Sequence, residues 1–270
     1  MENVLVADSD LLAQKIQKIC DAGVDQLNVV ADWDRTLTRA QTEDGKDTTS
    51  YLAIVHGGYL GDDYRDGMDR LYRLYRPVEV SQTMSHHQRQ EAMHDWWASA
   101  FDLMVQFGLT EEMIADIGRR DLMRLREGAE DLLQWVETHA IAMQILSAGI
   151  GNVIASFLNA RGLFGSHLEV TANMLEFDPA YKVVGFREPV IHSLNKRANT
   201  LGRCVLLLGD TIEDAKMVED TDENCVLRVG FLNDDVEKNS EIYLNFYDVV
   251  ICHDGEMHFA VDLLKEMSGK

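Results

Sequence analysis

Leu27-Asn28-Val29-Val30-Ala31 runs straight into Asp32-Trp33-Asp34-Arg35-Thr36-Leu37-Thr38, and the reading of this stretch decides the fold. A short β-branched run that ends abruptly in acidic residues predicts a strand buried on both faces, as in a parallel sheet. Strands of that kind present chemistry just beyond their carboxyl ends. Asp32 and Asp34 would repel each other in a dry site, and a divalent cation is the simplest agent that would hold them together. The competing reading is an ordinary turn with solvated aspartates. Only the rest of the chain can choose between the two.

The chain has 270 residues, 46% of them hydrophobic and only three of them proline. That predicts a compact protein with room for one large domain, or one domain with an insert. A formal charge of -21 without a basic stripe argues against a nucleic-acid polymer as partner. It also means that an anionic substrate needs local cations to draw it in. No stretch approaches the roughly 20 apolar residues that cross a bilayer. The start of the chain, with Asp8 and Asp10, lacks the basic and apolar regions of a signal peptide. Cys20, Cys204, Cys225 and Cys252 are scattered without metal-like spacing, which suits free thiols in a reducing cytosol. The expectation is a cytoplasmic protein with no membrane partner, a monomer or weak oligomer.

Leu11, Leu12, Ile16 and Ile19 predict a helix over 10–22, with Ser9 or Asp10 as N-cap and Gly23 as its stop. Residues 40–60 open on a polar run, and 62–126 read as helices without a strand pair. Trp96, Trp97, Phe101, Met104 and Val105 follow an amphipathic pattern that stops near Gly108, and Thr110 caps the next helix. This aromatic cluster reads as core rather than as a ligand platform. After Gly128 the alternation of strand and helix resumes, with strands at 141–146, 204–208, 226–229 and 248–251. Apolar strands separated by helical stretches predict a parallel α/β sheet. The expected organisation is a core of residues 1–43 and 127–270, with a helical cap of residues 44–126 inserted after the first core strand.

Four segments place a polar group where a strand ends or a helix begins. Asp32 and Asp34 are the first. In Ser147-Ala148-Gly149-Ile150-Gly151, a hydroxyl and glycine-permitted backbone N–H groups entering a helix suit a phosphate, though small residues also make ordinary turns. Lys196 offers a point charge to a phosphoryl oxygen, or is one more surface lysine. Gly209-Asp210-Thr211-Ile212-Glu213-Asp214 puts two further carboxylates beside a strand end, the second about one turn into the following helix. That second acid could merely serve the helix dipole.

The order of these motifs resembles that of the haloacid-dehalogenase-like hydrolases: strand-D-x-D-x-T, strand-S, K, then strand-G-D-x-x-x-D. The chain resembles more closely the cytosolic pyrimidine 5′-nucleotidases of the 5′-nucleotidase III type. Ala31 to Thr38 is similar to that family's T-D-F-D-x-T-L-S, Leu125-Arg126-Glu127-Gly128 to its L-K-E-G, and Ser147 to Gly151 matches its S-A-G-I-G. Asn173-Met174-Leu175-Glu176-Phe177-Asp178 with Gly185-Phe186 resembles its N-F-M-x-F-D…G-F. Asn195-Lys196, Leu207 to Asp210, Gly230 to Asp234 and Tyr247 to Val250 have counterparts in the same order. The similarity spans roughly residues 28–265, dense after 125 and thin in the cap. The fold this implies is a Rossmann-like haloacid-dehalogenase core with a helical cap.

The resemblance implies Mg²⁺-dependent hydrolysis of nucleoside 5′-monophosphates, pyrimidine preferred (CMP and UMP), through an aspartyl-phosphate, with phosphotransfer to nucleosides as a side path. Asp32 is then the nucleophile, and Mg²⁺ with Lys196 offsets the charge of the phosphate. The implied metal ligands are the Asp32 carboxylate, the Asp34 backbone carbonyl and Asp210, with Asp214 orienting a bound water from outside that set. Asp34 protonates the departing oxygen and then deprotonates the hydrolytic water. Ser147 and the Ala148 N–H hold the phosphate. Glu79, in Pro77-Val78-Glu79-Val80, resembles the family's base-contacting glutamate in I-E-V; a solvated loop glutamate is the bland alternative. Trp96 or Trp97 could stack on a base. The family's cap serine is absent: Ala100 stands there, with Ser99 beside it. Two other readings compete: a phosphatase of another small phosphate ester, and a non-catalytic binding protein on the same fold.

Overall fold

The computed structural model describes residues 3–81, 83–199 and 202–269. Its centre is a seven-stranded sheet in the order β1-β9-β8-β7-β2-β3-β4. These strands are β1 (Val4–Val6), β2 (Leu27–Ala31), β3 (Ala142–Ile150), β4 (Leu168–Asn173), β7 (Cys204–Gly209), β8 (Cys225–Leu232) and β9 (Val249–Cys252). All neighbours are parallel except β1, which runs antiparallel to β9. β2 lies in the middle, paired with β3 on one side and β7 on the other. Chain order reverses direction across the sheet at that strand, so a crevice opens beyond its carboxyl end.

Alternation along the strands divides the core in two. Val29, Ala31, Leu206 and Leu208 face one cluster, while Val30, Val205 and Leu207 face the other. Over the first face pack α1 (Ser9–Ala22), α6 (Ala129–Thr138), α7 (Gly151–Ala160) and α9 (His258–Met267), whose buried residues join that cluster. On the other side, α8 (Val236–Tyr243) contributes Val236 and Tyr243. Each fully buried Val or Leu contributes roughly 2 kcal/mol, so β2, buried at all five positions, is anchored firmly. β5 (Leu175–Phe177) and β6 (Val183–Phe186) form a separate antiparallel hairpin.

Between β2 and α6 lie four helices: α2 (Ser50–Gly57), α3 (Gly61–Glu79), α4 (His86–Gln106) and α5 (Glu111–Arg119). α3 and α4 pack on each other, α4 reaches the β6 hairpin, and α2 and α5 lie against β3 and α7. The expected parallel α/β sheet with a helical insert is therefore present, and no strand is found among the described residues of 62–126. Thr110 caps α5 through the Met113 N–H, as its sequence predicts.

Several local expectations are corrected. Asp8, not Ser9 or Asp10, caps α1, its carboxylate accepting from the N–H groups of Asp10 and Leu11 at 2.9 and 3.0 Å. β3 does not stop at 146; Ser147 to Ile150 continue the strand, and the helix starts only at Gly151. Asp214 opens a single tight turn (Asp214–Lys216) rather than a helix. Glu79 is the last residue of α3, which sets aside only its bland alternative of a solvated loop. Two edge strands, β1 and β4, flank the five that the apolar runs announce, and a strand precedes the one bearing Asp32. The polar 40–60 stretch contains α2, which buries Ala53 and Ile54.

Candidate active site

Asp32 emerges from the end of β2, its N–H donating to Leu208 O of β7 at 3.0 Å. Lys196 Nζ donates to Asp32 Oδ1 at 2.6 Å and to Asp214 Oδ1 at 2.8 Å, all three side chains being buried. The other Asp214 oxygen accepts from Thr211 N–H (3.0 Å) and Thr211 Oγ1 (2.8 Å), holding the turn that carries Asp210. Gly209 permits this close approach: a Cβ there would lie 2.4 Å from Asp214 Cβ. Lys196 itself sits on irregular chain, which two asparagines fix. Asn173 Nδ2 donates to Ala148 O and Ile191 O at 2.7 and 2.8 Å. Asn195 donates to Val190 O and accepts from His192 N–H, each at 2.8 Å. The phosphate-side segment and the lysine segment are thereby tied together.

Burial, only partly opposed by Lys196, holds the Asp32 carboxyl well above the ordinary range, with Asp214 and Asp210 adding to the rise. Burial and the neighbouring Asp214 push Asp210 up to about 7, against the pull of Arg35 and Lys196. For Lys196, burial favours the neutral amine, but Asp214 and Asp32 more than offset it and keep the ammonium charged. This is a site with surplus negative charge.

The loop after Asp32 is irregular, with Asp34 extended and Arg35 at φ 66. Arg126 holds it there. Its side chain is fully buried and donates to Thr36 O at 2.8 Å and to Arg35 O and Gly255 O at 2.6 Å each. Arg35 in turn pairs with Asp234 and lies 3.4 Å from Asp210. Asp34 turns its carboxylate to Ser50, accepting from Ser50 N–H at 2.6 Å and Ser50 Oγ at 2.8 Å. Burial lifts its pKa to about 6, with the Ser50 donors pulling the other way.

Asp32, Asp34, Ser147, Ala148, Lys196 and Asp210 line one cavity of about 590 Å³, together with Glu79. Asp214 lies behind them, 1% exposed. Opposite, α3 and α4 supply Tyr72, Arg76, Trp96 and Trp97. Trp96 stacks on Tyr75 (6.0 Å, 12°), whereas Trp97 packs on Phe101 (5.6 Å) and edge-on to Tyr51 (5.8 Å). The expected aromatic core is thus divided: Phe101 and Met104 are buried, while the two tryptophans face the cavity. Glu79 Oε1 accepts from Ser193 Oγ at 2.9 Å, and its other oxygen pairs with Arg76. Neither Ser99 nor Ala100 reaches the cavity wall.

Sequence reasoning missed Ser50, Asn173, Arg76 and the fastening role of Arg126. The hydrophobic pattern carries no trace of them. Only Arg126 and Asn173 stand in stretches that the family resemblance had already singled out.

The donor set suits a magnesium ion. Carboxylate oxygens of Asp32, Asp210 and Asp214 lie within 4.8 Å of one another. They are hard ligands, and burial together with the neighbouring carboxylates raises the pKa values of Asp32 and Asp210 against the pull of Lys196. Asp32 and Asp210 line the cavity, whereas both Asp214 oxygens are already engaged by Lys196 and Thr211.

This sheet, with acids gathered at the ends of β2 and β7 under a helical insert, defines a haloacid-dehalogenase-like phosphatase. A substrate-bound phosphoserine phosphatase complex shares the fold, with a TM-score of 0.52 at 13% identity over 88% of this chain and 97% of that one. The model of the pyrimidine 5′-nucleotidase (UMPH-1) family matches residues 35–268, and the chain belongs to that family. The protein is a 5′-nucleotidase. It is 28% identical to 7-methylguanosine phosphate-specific 5′-nucleotidase A of Xenopus laevis, over 100% of this chain and 97% of that one. The Homo sapiens 7-methylguanosine phosphate-specific 5′-nucleotidase is 27% identical over 94% of this chain and 90% of its own. A crystal structure of cytosolic 5′-nucleotidase IIIB bound to cytidine superposes with a TM-score of 0.89 at 25% identity, covering 99% and 94%.

Proposed function

We propose that the chain hydrolyses nucleoside 5′-monophosphates, pyrimidine nucleotides foremost, through a phosphorylated Asp32. The observation that supports this most is the convergence of Asp32, Lys196 and Asp210 on the floor of a cavity whose far wall is Glu79, Arg76 and tryptophan. Asp32 attacks phosphorus, its oxygen–phosphorus bond forming as the bond to the 5′ oxygen breaks. Asp34 gives that oxygen its proton. The same carboxylate then takes a proton from water, whose oxygen replaces Asp32 on phosphorus and regenerates the enzyme. Ser147 and the Ala148 N–H hold the phosphoryl oxygens, and Lys196 supplies positive charge to the in-line displacement. Mg²⁺ held by Asp32, Asp210 and the Asp34 carbonyl would offset the remaining negative charge. Asp214 fixes Lys196 and the Asp210 turn.

The helices of residues 44–126 act as the cap that reads the nucleoside. Glu79 accepts and Arg76 donates, side by side. A base that pairs an amino donor with a neighbouring acceptor, as cytosine does, matches that order. A second reading is favoured by the aromatic surface of Trp96 and Tyr75, which suits a cationic purine such as 7-methylguanine. The charge of Arg76 opposes it. Once the first nucleoside has left, another nucleoside could take the phosphoryl group in place of water. The free thiols, three of them buried, suit a cytosolic setting.

Hydrolysis of CMP, UMP, GMP, 7-methyl-GMP and phosphoserine, with and without magnesium, tests the proposal. The highest kcat/KM on CMP and UMP supports it. A preference for 7-methyl-GMP selects the second reading, and one for phosphoserine overturns both.

A further inference from the structure

Asp34 does not stand free in the cavity. Its two carboxylate oxygens are taken by one residue: Ser50 N–H reaches Oδ1 at 2.6 Å and Ser50 Oγ reaches Oδ2 at 2.8 Å. Ser50 is wholly buried and is the first residue of α2, whose N-cap is Thr49. Its hydroxyl also accepts from Ile150 N–H at 3.1 Å. A hydroxyl has one proton. Ile150 N–H fills one of its acceptor sites, and the carboxylate oxygen of Asp34, which can only accept, takes that proton.

Gly149 supplies the space. A Cβ built on it would lie 2.1 Å from Ser50 Oγ and 2.6 Å from Asp34 Oδ2, closer than real atoms approach. The glycine that sequence reading assigns to phosphate binding therefore has a second reason to lack a side chain. It lets a residue of the insert touch an acid of the core.

We propose that Ser50 is the positioning residue of Asp34: it fixes the carboxylate in the orientation from which the proton reaches the departing 5′ oxygen. Because α2 packs against β3 and α5, the acid takes its orientation from the seat of the insert on the core. A carboxylate that could rotate about its side-chain torsions would present the proton correctly only part of the time. This inference rests on Asp34 being the acid, as set out above.

The test compares kcat/KM, which reports the steps up to phosphorylation of Asp32, for two substrates with Mg²⁺ present. CMP leaves as a poor leaving group that needs a proton; 4-nitrophenyl phosphate leaves as a stable phenolate that does not. Ser50→Ala is expected to lower kcat/KM on CMP about tenfold, mainly through kcat, and to change 4-nitrophenyl phosphate by less than about twofold. Ser50→Cys, nearly the same size with a weaker donor, should fall between Ser50→Ala and the parent. Equal losses on both substrates, or no loss on CMP, would overturn the role of Ser50. Asp34→Asn serves as the reference. If it discriminates between the substrates and Ser50→Ala does not, only the positioning role fails; if it slows both equally, the acid role fails and takes this inference with it.

Discussion

Lys196 meets Asp32 at 2.6 Å across 164 residues of chain, and both side chains are 6% exposed. An ion pair this deeply buried is destabilising unless each partner stays, because the survivor is left charged in a dry site. The same contact holds the nucleophile's attacking group and the charge that meets the phosphate. Lys196→Met is expected to cost roughly 3 kcal/mol of stability and about a thousandfold in kcat/KM. Urea unfolding and CMP kinetics on the purified variant check both, and an unchanged unfolding midpoint would contradict the structural half.

Arg126 has a different duty. It touches no reacting group, but its buried guanidinium satisfies the carbonyls of Arg35, Thr36 and Gly255. Arg126→Met leaves those carbonyls unpaired and is expected to lower stability by about 3 kcal/mol. Chemical denaturation measures it. A loss of under about 0.5 kcal/mol, the size of an ordinary surface change, would show that the loop holds itself.

Glu79 and Arg76 should decide the base. Glu79→Gln replaces a pure acceptor with a group that can also donate. It is expected to lower kcat/KM on CMP about tenfold and on UMP by less, since a lost hydrogen bond to an amino group costs about 1.4 kcal/mol. Arg76→Leu should raise the rate on 7-methyl-GMP relative to CMP by removing a repelling charge. An unchanged CMP:UMP ratio in the Glu79 variant would count against the base contact.

The lysine segment also contains a pH-sensitive group. His192 is 4% exposed, and its Nδ1 accepts from Leu194 N–H at 3.2 Å. Burial lowers its pKa from the ordinary 6.5 to about 4, with His94 and His86 pulling the same way and Glu79 opposing. A depressed folded-state pKa means that the unfolded chain binds the proton more readily. The contribution is therefore complete above pH 6.5 and lost as pH falls towards 4, up to about 3 kcal/mol. His192→Asn should remove this part of the acid sensitivity. Urea midpoints of parent and variant between pH 7.5 and 4.5 are the check, and parallel curves would contradict it.

The fold was legible where the chemistry of burial is strong. β2, β7, β8 and β9 are short apolar runs with abrupt polar ends, and Asp32, Lys196 and Asp210 follow from motif order. Val4–Val6 escaped because three residues make too short a pattern. Leu168–Asn173 escaped because an edge strand mixes Glu169 and Thr171 with its apolar residues. Ser147 to Ile150 reads as a break between strand and helix, since small residues that continue a strand look the same as small residues that end one. Ser50 was invisible for another reason. A serine in a polar stretch announces nothing, and its partner lies 16 residues away.

The central claim is a covalent one, and trapping tests it most directly. The enzyme is mixed with Mg²⁺ and CMP, quenched in acid during turnover, digested, and examined by mass spectrometry. A phosphoryl group on the peptide containing Asp32, absent from the Asp32→Asn variant, is the predicted result. Turnover that proceeds in Asp32→Asn at the parent's rate, with no phosphorylated aspartate in either protein, would contradict the account.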